Sequence, residues 1–194
     1  MNMNLSLLLP ELTLIVTGMV VLLTGVISKD RFLLPILAAI GLAVAFVESA
    51  SLAYPLLSIN ENTPPSMIAE LERNIFSIQG MLINDGFTGV FRMLLSGSTL
   101  LLVLGTTDYV MNRLKGQQGE FYAMLLFACA SMMLLTSAME LITLYVALET
   151  SSIALYALAG FLRDKKSSEA GIKYLALGGI SSADRKSTRL NSSH

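Results

Sequence analysis

Long apolar segments, sparse charge and a one-sided distribution of basic residues predict an all-α membrane protein, a polytopic bundle of six transmembrane helices. Of 194 residues, 54% are hydrophobic and 14% charged, with mean hydropathy +0.66. A soluble domain carries nearer a quarter of its residues charged. The charges here also cluster between apolar runs long enough to cross a bilayer, which takes about 20 residues. None of the runs alternates with period two, so a membrane β-barrel is not predicted.

The first run, 5–27, has no preceding Lys or Arg and no small-residue cleavage site after it. A secretory signal peptide needs both, so it reads as a retained first helix. Runs at 32–57, 84–107, 119–137 and 139–161 follow, and a sixth, 168–183, is too short for a full crossing. The one long linker, 58–83, carries Asn60, Asn62, Pro64 and Pro65 with Glu61, Glu70 and Glu72. It reads as a surface loop with a short amphipathic helix near 66–77.

Orientation follows from the cations. Lys29, Arg31, Arg113, Lys115, Arg163, Lys165 and Lys166 fall in the linkers after helices 1, 3 and 5, against Arg73 alone on the other side. The positive-inside rule places those linkers in the cytoplasm and the N-terminus outside. Arg185, Lys186 and Arg189 break this pattern, because the apolar run gives way at Ala183 to a polar ending. Residues 183–194 therefore read as a non-native tail, with the native chain expected to continue beyond Ser182 and with no continuous helix joining tail to 168–182; a genuine short polar tail is the alternative.

Composition also narrows function. Net charge is −1 and gives no reason to expect nucleic acid as a partner. The single cysteine, Cys129, cannot form a disulfide within the chain, and the single histidine, His194, is the last residue. Met124, Met132, Met133 and Met139 fit irregular helix packing better than a soft-metal site.

Chemistry is expected where charge enters the apolar runs. Glu149 lies about ten residues into helix 5, roughly 15 Å deep at 1.5 Å per residue. A carboxylate at that depth costs about 2.5–3.5 kcal/mol on insertion scales, and such residues commonly carry ions or protons. A structural role as a packing ion pair is the competing reading. Thr150, Ser151 and Ser152 offer hydroxyls beside it. Glu140 falls on the opposite helix side near the interface. Lys173 lies early in helix 6 with Glu169 four residues before it, so a local ion pair or snorkelling competes with function. Arg92 and Asp85 are seven residues apart on one face of helix 3, and pairing or snorkelling explains them as well as function does. Glu48 is an acid toward the outer half of helix 2. Glu11 follows Pro10 at the start of helix 1, where a helix N-terminus favours an acid.

Several words of the sequence carry a resemblance. They are Gly119-Glu120-Phe121-Tyr122, the stretch Leu144 to Leu162 (LYVALETSSIALYALAGFL), Arg163-Asp164, and Ser168-Glu169-Ala170-Gly171-Ile172-Lys173-Tyr174. Leu9-Pro10-Glu11-Leu12 and Asp85-Gly86-Phe87 fit as well. Together they resemble the subunit N family (subunit 2 in mitochondria) of the bacterial proton-pumping NADH:quinone oxidoreductase, respiratory complex I. The likeness covers about residues 5–182 and is strongest over 119–178. It implies an antiporter-like subunit with two inverted repeats, each holding a broken helix. Residues 1–118 would be the N-terminal helices 1–3, and 119–182 the start of the first repeat.

The family's key glutamate matches Glu149, and its helix 6 lysine matches Lys173. Both are therefore expected in proton transfer. The central lysine of helix 7 would fall beyond this chain, and the fragment alone is expected to be inactive. The resemblance implies no cofactor in this chain, with NADH, flavin, iron–sulfur clusters and quinone in other subunits. The implied partners are other membrane subunits of the complex and the lipid bilayer. The implied location is the bacterial inner (plasma) membrane, with a periplasmic N-terminus. A multisubunit cation/proton antiporter subunit and a non-pumping structural module are the alternatives.

Overall fold

The apolar runs become helices because a bilayer offers no water to their backbone amides and carbonyls, which must bond within the segment. A computed structural model of the chain describes residues 5–27, 32–58, 64, 66, 76–77, 81–114, 116–162 and 164–191. The linker 28–31 and most of loop 58–83, including Arg73, lie outside the described residues. After a 3₁₀ turn at Leu5–Leu8 come α1 (Leu9–Ile27), α2 (Leu33–Leu57), α3 (Gly86–Arg113), α4 (Gln118–Ser137), α5 (Leu141–Ala159) and α6 (Lys165–Asn191). The first five are long and apolar enough to cross a membrane. α6 is the sixth helix of the predicted bundle.

Three local expectations need correction. α6 continues without a break from the apolar segment through Asn191. Polarity decides whether a segment prefers water to lipid, but Ser, Ala, Asp, Arg and Lys all tolerate helix, and no Pro or Gly interrupts Ile180 to Asn191. α3 likewise runs six residues past 107. Thr106 and Thr107 turn their hydroxyls onto Leu102 O and Val103 O of the same helix, at 2.7 and 2.8 Å. The helix stops only before Gly116, whose φ of 92° suits glycine.

The third correction concerns the end of the helix expected at 66–77. Phe76–Ser77 forms a strand, β1, paired antiparallel with β2, Leu82–Ile83. Leu82 bridges further to Ala138, and the Met139 amide donates to Met81 O at 2.8 Å. These main-chain bonds fix the entry to α3 against the turn between α4 and α5. The rest of 66–77, Ser66 apart, lies outside the described residues.

α1 packs most extensively on α4, and α2 on α3. α1 also touches α2, and α3 touches α4, so these four helices close a bundle. α5 leans on α4, and α6 on α5. The core holds Leu14, Val21, Ala38, Leu42, Val103, Leu126 and Met133. α1 and α4 meet backbone to backbone at Gly25 and Gly119, where a Cβ on Gly119 would stand 2.9 Å from the Gly25 Cα. Gly119→Leu should therefore push the two helices apart and lower stability by about 1–3 kcal/mol, the usual cost of overpacking. Gly105→Leu, with open space around it, should change little. Thermal melts of the purified chain in detergent, followed by circular dichroism, compare the two.

Candidate functional site

Glu149 sits at the middle of α5 and is half-buried. The three hydroxyls beside it do not serve as its donors. Thr150 Oγ1 donates to Val146 O, and Ser151 Oγ and Ser152 Oγ both donate to Leu148 O, each at 2.8 Å. A hydroxyl has one proton to give, and each of these spends it on the helix backbone. Their lone pairs remain as acceptors. Glu140, the residue before α5, is exposed at the helix start. α5 is the least buried of the five long apolar helices.

α6 presses onto the C-terminal half of α5. A Cβ on Gly171 would stand 2.9 Å from the Gly160 Cα, so the two backbones touch there. The rings of Tyr156 and Tyr174 meet edge to face at 4.8 Å. The Tyr156 hydroxyl occupies the place where a Cβ on Gly178 would be. Tyr156 follows Glu149 by seven residues, two turns along one helix face. The face of α5 that bears Glu149 is thus the face turned to α6.

This crossing sets the level of Lys173. With Gly160 opposite Gly171 and the helices antiparallel, Lys173 comes level with Leu158. That is nine residues, or roughly 14 Å, along α5 from Glu149. The Lys173 ammonium instead meets Glu169 Oε1 at 2.6 Å, one turn away on its own helix, and both side chains are mostly exposed. The structure brings Lys173 to Glu169 and not to Glu149.

A second charged cluster lies inside the four-helix bundle. Arg92 Nη2 approaches Glu11 Oε1 to 2.5 Å, with the two side chains 2% and 3% exposed. Arg92 Nη1 donates to Asn84 Oδ1 at 2.8 Å. The contact with Glu11 is an ion pair by distance and not a well-aligned hydrogen bond. Neither Glu11 oxygen nor Arg92 Nε finds hydrogen-bond geometry among the described residues. Glu48 stands near enough to Glu11 to act on it electrostatically. It accepts from Thr13 Oγ1 at 3.0 Å.

The sequence pairing of Arg92 with Asp85 is not what forms. Asp85 caps α3 instead, accepting from the Thr88 amide at 2.8 Å. One signal pointed to the true partner. Helices 1 and 3 run the same way, so Glu11, third in α1, and Arg92, seventh in α3, begin at the same end of the bundle.

Residues 138–184, which include Glu149 and Lys173, match the family model described as NADH:quinone oxidoreductase/Mrp antiporter, transmembrane. The chain is 34% identical over 179 residues to NADH-quinone oxidoreductase subunit N of Dehalococcoides mccartyi, covering 92% of this chain and 33% of that relative. Identity to subunit N of Desulfitobacterium hafniense is 47% over 111 residues, covering 57% of this chain and 22% of that relative. Identity to subunit N of Sphingopyxis alaskensis is 32% over 183 residues, covering 94% and 34%. The chain spans about a third or less of the length of these curated relatives.

Proposed function

We propose, for a chain that belongs to the NADH-quinone oxidoreductase subunit N family, that the intact protein moves protons across the membrane as electrons pass from NADH to quinone. The observation that carries this reading is Glu149, a carboxylate at mid-helix inside the stretch matched by the antiporter model. An approaching cation favours the ionised carboxylate, and withdrawal of the cation lets it take up a proton. Lys173 would act from the start of α6. At its distance from Glu149 it works through intervening water and side chains, of which the Tyr156 hydroxyl lies between the two levels.

This reading assigns NADH, flavin, iron–sulfur clusters and quinone to other subunits. It places the chain in a bacterial inner membrane, among the complex's other membrane subunits. The description of the matched family model also names an antiporter, which favours cation/proton exchange without redox chemistry as the second reading. Vesicles holding the whole complex distinguish the two. Acidification that requires NADH and quinone supports the first reading. Cation-driven proton exchange that ignores both electron donor and acceptor supports the second.

Topology is testable separately. In a Cys129→Ala background, Lys115→Cys and Lys166→Cys should resist an impermeant thiol reagent added from outside, while Asn62→Cys reacts. Outside labelling at position 115 or 166 reverses the orientation drawn from the basic residues.

A further inference from the structure

Glu48 lies nine residues before the end of α2, about 14 Å along the helix, and is half-buried. Its carboxylate can accept several hydrogen bonds. Among the described residues it receives one, from Thr13 Oγ1, and even that proton is shared. The same hydroxyl stands 2.9 Å from Pro10 O and 3.0 Å from Glu48 Oε2. The neighbouring charge is Glu11, of like sign. Arg92 is turned to Glu11 and Asn84. The cluster thus holds two carboxylates and one paired cation.

Glu48 also ends a groove. Between α1 and α2 runs an open apolar channel of about 480 Å³, lined by Leu12, Val16, Val20, Ile40 and Val44 among others. Ile40 and Val44 continue it to Val47 and Glu48. Val16 is 58% and Val47 65% exposed. The core face of α1, with Leu14, Gly18 and Val21, is turned elsewhere; Gly18 meets Phe127 of α4.

We propose that this groove seats a transmembrane helix of another subunit, one that presents a lysine or arginine to Glu48. Lipid tails could fill the apolar walls, but they bring no donor. A carboxylate at membrane depth needs a cation or a bundle interior. A covering segment within the bilayer has to be helical to satisfy its own backbone. The open acceptor positions of Glu48 select the basic side chain: a lysine or arginine brings several donors and the opposite sign, and Arg92 is already turned to Glu11 and Asn84. The later helices of the chain pack elsewhere, α5 on α4 and α6 on α5. The relatives are each named as one subunit of an oxidoreductase, and a neighbouring subunit is the occupant to which the proposal commits. The inference rests on the assembly of this chain into a complex and not on proton movement.

The test uses the full-length subunit in its assembled complex, in native membranes, with Cys129→Ala and Val44→Cys. A photoactivatable thiol reagent attached at position 44 is irradiated and the linked peptide is identified by mass spectrometry. The expected product joins position 44 to one helix of a neighbouring subunit, with a Lys or Arg within a turn of the linked residue. Glu48→Gln should lower its yield about tenfold or more, as loss of a buried charge partner does, and Glu48→Asp should keep most of it. Products with lipid alone, with a helix of the same subunit, or with a helix lacking a basic residue overturn the proposal. So does an unchanged yield in an assembled Glu48→Gln complex. The product formed with Glu48 intact decides the question even if Glu48→Gln does not assemble. A complex that gives the expected product but pumps no protons removes the functional reading and leaves this one standing.

Discussion

Arg92→Met should destabilise the folded chain by about 3–5 kcal/mol, the range for breaking a buried ion pair by removing one partner. The guanidinium is the paired cation of Glu11, whose side chain is almost entirely buried. Without it a carboxylate is left inside the bundle, and Asn84 Oδ1 loses its donor. Domains are stable by only about 5–15 kcal/mol, so the loss is a large share of the total. The double variant Arg92→Met, Glu11→Met should recover much of it, because an apolar pair of similar volume carries no desolvation cost. Unfolding of the detergent-solubilised chain in increasing dodecyl sulfate measures both. Equal stability of Arg92→Met and the parent would mean that Glu11 is neutral or solvated there. A double variant no better than the single would assign the effect to lost packing.

Glu149→Gln, in the full-length subunit within an assembled complex, should cut proton translocation by roughly 10²-fold, the lower range for losing a positioned acid–base group. The amide keeps the shape and removes the titratable proton. Glu149→Asp keeps the charge on a shorter stem and should retain part of the rate. Glu140→Gln should stay near the parent, since Glu140 is exposed at the start of α5. Acidification of vesicles and quinone reduction are recorded together, with assembly checked by subunit content. A Glu149→Gln complex that assembles and pumps at the parent rate would make Glu149 a packing residue.

What could be read from the chain alone was one-dimensional. The five long helices follow from apolar length, and the Lys173–Glu169 pair from a spacing of four on one helix. Pairing across the bundle was not legible. Arg92 has Asp85 on its own face seven residues back, and helical spacing made that the visible partner. The actual choice depends on α1 and α3 facing each other across the interior, which no periodicity encodes. The same holds for the distance between Lys173 and Glu149. It is set by where Gly160 meets Gly171, a contact recognisable only once both helices are placed. The length of α6 is hidden for a different reason: hydropathy reports the preferred solvent of a segment, not its helicity. The hydroxyls beside Glu149 were legible as residues, but their single protons are committed to the backbone of α5.

α5 is held at both ends. At its start, Met139 N is bonded to Met81 O and Ala138 bridges to Leu82. At its finish, Gly160 is pressed against Gly171. Between those ends it is braced along one side: Ala147, Ser151 and Ala154, which bracket Glu149 in the chain, are buried, while Val146 and Ile153 are more than half exposed. A neighbouring helix that reached the open flank of α5 would therefore meet a rail already fixed at both turns and along its back.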